Sequence, residues 1–279
     1  FYEVRFFNIS QRITKFALLF PHDADFILLT ILRIETYMIK RKKNDNIFMK
    51  DAGDEISMLA EIEVDPNEEI PVNFDKEIPI LPLRNMVMFP SVIMPVTVGR
   101  TSSLKLINAT NKKHLPIVAL CQVRGDVDEP GYRDLYHVGV VCDVLRIIEM
   151  PGGTTTVILR SNGPKVHLEN ITRITPYLQG IVTPIEEQPF HTETEEYKVL
   201  IDTCKDLAIK YLELNEQMNS DLPFIIRNQI GVMLINFICS NFPFSVEDKN
   251  QLLQYNSLTD RVYGLIQILN REIRLAEIK

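Results

Sequence analysis

Residues 78–100, IPILPLRNMVMFPSVIMPVTVGR, constrain the fold more tightly than any other stretch of this chain. Two apolar runs rich in β-forming residues flank a connection punctuated by Pro90, and Gly99-Arg100 lead into the helix-start pattern Thr101-Ser102-Ser103. The order predicts a strand, an apolar loop, a second strand and a helix entry. Serine at such an entry serves as a cap, because its hydroxyl accepts from the free N–H groups of the first turn.

The same texture continues to about residue 187. A helix is expected over 102–113, a short apolar strand over 116–123, and alternating strands over 138–148 and 154–159 across the turn Pro151-Gly152-Gly153, with another over 177–183. Many short strands with turn signals and one or two helices suggest a compact, partly closed β-structure. After Pro189 the period becomes helical. Residues 193–218 place Tyr197, Ile201, Leu207 or Ala208, and Tyr211 on one stripe, and Pro223 suits a first helical turn. Residues 225–242 are nearly apolar throughout and read as one buried helix of a bundle. Ser245 with Asp248, and Ser257 with Asp260, form capping-box patterns. The last helix repeats Val262, Ile266, Leu269, Ile273 and Ala276 at heptad-like spacing up to the final residue. With no stop signal there, more protein is expected to follow.

The fold class expected is therefore α+β, divided into an upstream segment (1–37), an acidic tail (38–77), a β-rich domain (78–187), a helical bundle (188–256) and the start of a long connecting helix (257–279). Phe1–Tyr37 looks foreign to the rest and reads as upstream sequence, with a natural start at Met38 or Met49; an amphipathic anchor is the competing reading. Its apolar runs fall short of the ~20 residues of a membrane span. Between Asp51 and Glu69 eight acids and no lysine or arginine predict a disordered segment.

Charge and chemistry exclude more than they suggest. A net charge of −7 argues against binding phosphate backbones or anionic lipid, so neither nucleic acid nor membrane is an expected partner. Four cysteines without a CxxC pair fit a reducing cytoplasm. No GxxxxGK[ST] phosphate loop is present, and the five histidines lack metal-ligand spacing. Ser102-Ser103-Leu104-Lys105 matches a bare SxxK, but at a helix start and without partner motifs. His137 reads as a half-buried packing residue, and the paired acids Glu186-Glu187 as linker residues. No catalytic, cofactor or metal residue is assigned.

Several blocks resemble the amino-terminal region of the Lon family of ATP-dependent proteases. They are Leu81-Pro82-Leu83-Arg84-Asn85, Phe89-Pro90, Pro95 through Val98-Gly99-Arg100, Asp128-Glu129-Pro130-Gly131, Asp134 through Gly139, Leu145 through Ile148, and Pro151 through Thr154. The resemblance covers roughly the last 200 residues. One departure stands at Ser161-Asn162-Gly163-Pro164-Lys165, where the family closes a hairpin: Asn-Gly predicts a tight turn, and Pro164 cannot donate to a ladder.

The resemblance implies a PUA-like β-domain followed by a helical bundle, and a role in binding unfolded or degron-bearing protein substrates. It further implies an intact cytoplasmic homohexamer that uses ATP and Mg²⁺ and cuts with a serine-lysine dyad outside this chain. A freestanding adaptor and an RNA-binding module are the rival readings. For substrate capture the candidates are Met86, Met88, Phe89, Val92 and Met94, grouped around Pro90, because flexible methionine suits degenerate apolar contact. If they form an exposed patch, replacing Met88 and Phe89 with serine should leave stability nearly intact.

Overall fold

The computed structural model describes residues 70–149, 155–188, 194–215, 222–229 and 231–278. The upstream segment, the acid-rich stretch to Glu69 and the turn 151–153 lie outside these residues.

Among these residues seven strands make one sheet system: β1 (Ile78–Leu83), β2 (Ile93–Val98), β3 (Ile117–Cys121), β4 (Val138–Glu149), β5 (Thr155–Arg160), β6 (Lys165–Arg173) and β7 (Gln179–Pro184). β1 pairs parallel with β3 and antiparallel with β7, β7 with β6, β6 with β4, and β4 with β3, so five strands close into a ring. The second half of β4 leaves that ring to pair with β5, which in turn carries β2 at the outer edge. Pro95 is tolerated in β2 because an edge strand can spare a donor.

Alternation explains why β1 and β3 are apolar at almost every position. Ile78, Ile80, Val118, Leu120, Val141, Val166, Leu168 and Val182 fill the interior of the ring. Leu81, Leu83, Ile117, Ala119, Cys121, Val140 and Cys142 face outward into a second, larger core shared with the helices. A strand buried on both faces loses its polar alternation.

Among the described residues six α-helices accompany the sheet: α1 (Thr101–Asn111), α2 (Glu195–Leu214), α3 (Leu222–Asn228), α4 (Gly231–Asn241), α5 (Val246–Gln254) and α6 (Leu258–Ile278). The serines expected to cap α1 do not: Arg100 is the N-cap residue and makes no side-chain cap, while Ser103 is buried. The long apolar run 225–242 is not one helix. It breaks between Asn228 and Gly231, where Gly231 takes φ +59°, and a Cβ there would sit 2.8 Å from the Tyr197 hydroxyl. The serine half of each expected capping box forms: Ser245 accepts from the Asp248 N–H at 3.1 Å and Ser257 from that of Asp260 at 3.3 Å. On α6, Val262, Leu265, Leu269 and Ile273 are buried, with Ile268 beside them, a wider face than a strict heptad seam.

The segment 161–164 is not a hairpin turn either. β5 and β6 do not pair; both pair with β4, and the segment crosses between its two halves. Gly163 approaches β4 so closely that a Cβ would lie 2.5 Å from Val141 Cβ. Pro164 pairs with β4 through its carbonyl, which accepts from the Val141 N–H at 3.0 Å.

Candidate functional site

Met88 and Phe89 are 2 % and 0 % exposed, Val92 and Met94 are buried, and Met86 is partly buried against the shared core. The expected exposed patch around Pro90 is therefore absent: the loop between β1 and β2 turns inward. The reason is tertiary. The buried Ser161 hydroxyl lies 2.6 Å from the Phe89 carbonyl and accepts from the Val92 N–H at 2.9 Å. From α4, Asn236 Nδ2 donates to the Pro90 carbonyl at 2.9 Å, and the Arg261 guanidinium of α6 lies 5.9 Å from the Phe89 ring centroid. With helices on one side and Ser161 on the other, the loop gains more from burial than from exposure.

An open groove of mixed polar and apolar lining lies where α1 meets the β6–β7 connection. The groove, of about 570 Å³, is lined by Thr101, Ser102, Lys105, Glu129, Ile174 and Pro176. A smaller adjoining cavity of about 10 Å³ reaches inward to Pro82, Arg100, Leu106 and Tyr177, room for about one water. Ile174 is 59 % exposed at the rim, an aliphatic side chain left largely in water.

Arg100 lines the small cavity behind the groove. Its Nη1 donates to the Pro82 carbonyl at 3.2 Å, and its Nη2 reaches the Gln122 side chain and the Val127 carbonyl, tying β1 and the β3–β4 connection together. Gln122 Nε2 adds a bond to Val127 O at 2.9 Å. Arg84 pairs with Asp128 beside it. Burial, and then Arg84, draw the Arg100 guanidinium below its ordinary value while Asp128 and Glu129 oppose them. Three blocks singled out in the sequence, at 81–85, 98–100 and 128–131, thus converge on this small cavity. Arg100 Nε is buried without a partner. Ser102 and Lys105 both line the groove, but among the described residues no hydrogen bond joins them. The arrangement can hold an extended, partly apolar segment, with no nucleophile and base in contact.

His137 is half-buried as read, its ring 4.1 Å from that of Tyr132. All four cysteines are buried and free. Among the described residues no three His, Cys, Asp or Glu side chains group as a metal site, and no helix is long and apolar enough to cross a membrane.

Sequence reasoning missed Glu187. Placed in a linker, it is the shared partner of two buried cations, Lys165 at 3.0 Å and Arg261. Its partners lie far away in sequence, so no local pattern could have marked it.

Comparison with known proteins agrees with this architecture. The chain is 42% identical over 236 residues to Lon protease of Parabacteroides distasonis, covering 82% of this chain and 28% of that protein. With Lon protease of Porphyromonas gingivalis it is 38% identical over 210 residues, 74% of this chain and 25% of that protein. The chain thus spans about a quarter of the length of these relatives. In fold it is similar to the N-terminal domain of a Mycobacterium avium complex Lon protease, with a TM-score of 0.55 at 18% identity, over 70% of this chain and 98% of that one. A Lon N-terminal domain protein from Xanthomonas campestris gives 0.50 at 14% identity, over 69% and 98%. Residues 77–271 match the model of the substrate-binding domain of ATP-dependent protease La, or Lon, and the chain belongs to that family.

Proposed function

We propose that this chain is the substrate-recognition and assembly region of an ATP-dependent Lon protease that degrades misfolded and regulatory proteins in the cytoplasm. The match over residues 77–271 to a domain described as substrate-binding carries the reading. In the intact protein, modules outside this chain would bind ATP and Mg²⁺ and cut with a serine-lysine dyad, in a homohexamer. This region would hold the substrate without cutting it.

Capture is assigned to the groove between α1 and the β6–β7 connection. An unfolded segment would lay one apolar side chain against Ile174 and Pro176 and direct polar groups toward Ser102 and Lys105. Burying one aliphatic side chain contributes about 1.5–3 kcal/mol before ordering costs, which suits weak and degenerate capture. The test is titration of the chain with a reduced, carboxymethylated model protein and with its native counterpart. Saturable binding of the unfolded form alone is expected; equal binding of both, or of neither, contradicts the proposal.

A further inference from the structure

At the junction of the β-ring and the helices, two cations share one carboxylate. The Lys165 and Arg261 side chains are both 0 % exposed and meet Glu187, itself 22 % exposed. Lys165 comes from the first position of β6, Arg261 from the first turn of α6, and Glu187 from the segment between β7 and α2. The excess positive charge is directed at one place. Lys165 Nζ donates to the carbonyls of Leu253 at 3.1 Å and Tyr255 at 2.7 Å, and Arg261 Nε to that of Leu252 at 3.1 Å.

Those carbonyls belong to the end of α5, which would otherwise be left without partners. Its C-cap residue Tyr255 has φ −60° and ψ 125°, not the left-handed geometry that usually closes a helix. A lysine from the sheet thus terminates a helix of the other half, with its charge placed at the negative end of the helix dipole. Arg261 Nη1 also donates to Asn236 Oδ1 at 3.0 Å, whose amide holds the Pro90 carbonyl. Arg261 keeps its bonds to Leu252 and Asn236 within the helical half, whereas Lys165 meets the Leu253 and Tyr255 carbonyls only while both halves are docked.

We infer that Lys165, Glu187 and Arg261 form an interlock that fixes the β-ring on the helices, and α6 in particular, in one orientation. Buried ion pairs add little net stability compared with apolar packing, yet removing one partner leaves an uncompensated charge. Such a set therefore specifies geometry. The ring keeps its own interior core around Ile80, Leu120 and Val166, whereas the helices depend on the core they share with the ring. Undocking should loosen the helices first.

The test is hydrogen exchange on the full chain carrying Glu187→Gln. Amides of α5 and of the first turn of α6 should exchange at least tenfold faster, with those of β1 and β3 unchanged. Uniform acceleration in both halves would reduce the triad to ordinary packing, and unchanged rates everywhere would remove its role; either overturns the inference. If the single variant does not fold, the Lys165→Met, Glu187→Gln double variant, which also removes a cation, is read by the same two patterns.

Discussion

Two connections in the sheet carry similar side chains and differ in what they leave outside. The β1–β2 loop turns Met88, Phe89 and Val92 inward around Pro90, and the β6–β7 connection buries Leu178 and partly buries Tyr177 but leaves Ile174 in water beside Pro176. Phe89 is 0 % exposed, whereas Ile174 is 59 % exposed. Composition does not separate them. The first loop is roofed by α4 and α6 and pinned by Ser161, while the second projects at the rim of a groove. An apolar loop becomes core or contact surface according to what the distant chain places over it.

The comparison breaks most visibly at Phe89. Phe89→Ser should cost at least about 3–5 kcal/mol, read as a fall in the urea midpoint, because a filled core position becomes a cavity holding a hydroxyl. This reverses the expectation from sequence that Met88 and Phe89 could be replaced with little loss. Wild-type stability would return the loop to the surface.

Next in size is Ser161→Ala. Its hydroxyl satisfies the Val92 N–H and faces the Phe89 carbonyl inside the core, so deletion should cost about 1–3 kcal/mol. A neutral result would mean that the loop is held by the helices alone.

Alkaline titration sharpens the contrast between buried and exposed sites. Burial pushes the Cys204 and Cys239 thiols from 9.0 up to about 12. Their folded values lie above the unfolded one, so their contribution is whole below pH 9 and is lost as pH rises toward about 12. Lys249 has the opposite sign: burial draws its ammonium from 10.5 down to about 8, so the folded chain releases that proton first and gains stability between these values. Stability measured by urea unfolding should hold or rise from pH 8 to 9 and fall above it. Lys249→Met should remove the rise and keep the fall.

Much of the fold was legible because the signals were local. Strands buried on both faces announced themselves as continuous apolar runs, and the Ser245 and Ser257 caps sit three residues from their partners. The break at Gly231 was hidden, since residues 225–242 are apolar on either side of it and one glycine does not mark a positive φ. The Asn-Gly at 162–163 misled because its partner is β4, not the neighbouring strand. For the site, the sequence identified the blocks that meet at the small cavity but not the groove beside it, which depends on Ile174 and Pro176 arriving from the β6–β7 connection. Glu187 was invisible for the same reason: its two cations lie 22 and 74 residues away.

The smallest effect on stability accompanies the most direct test of where substrate binds. Ile174→Asp alters an exposed side chain and should shift the unfolding midpoint by no more than about 0.5 kcal/mol. In a titration with a carboxymethylated, unfolded protein, the same variant should bind roughly tenfold more weakly than the wild type, the loss of one apolar contact of about 1.4 kcal/mol. Wild-type affinity in a stably folded Ile174→Asp chain would contradict the assignment of substrate capture to this groove.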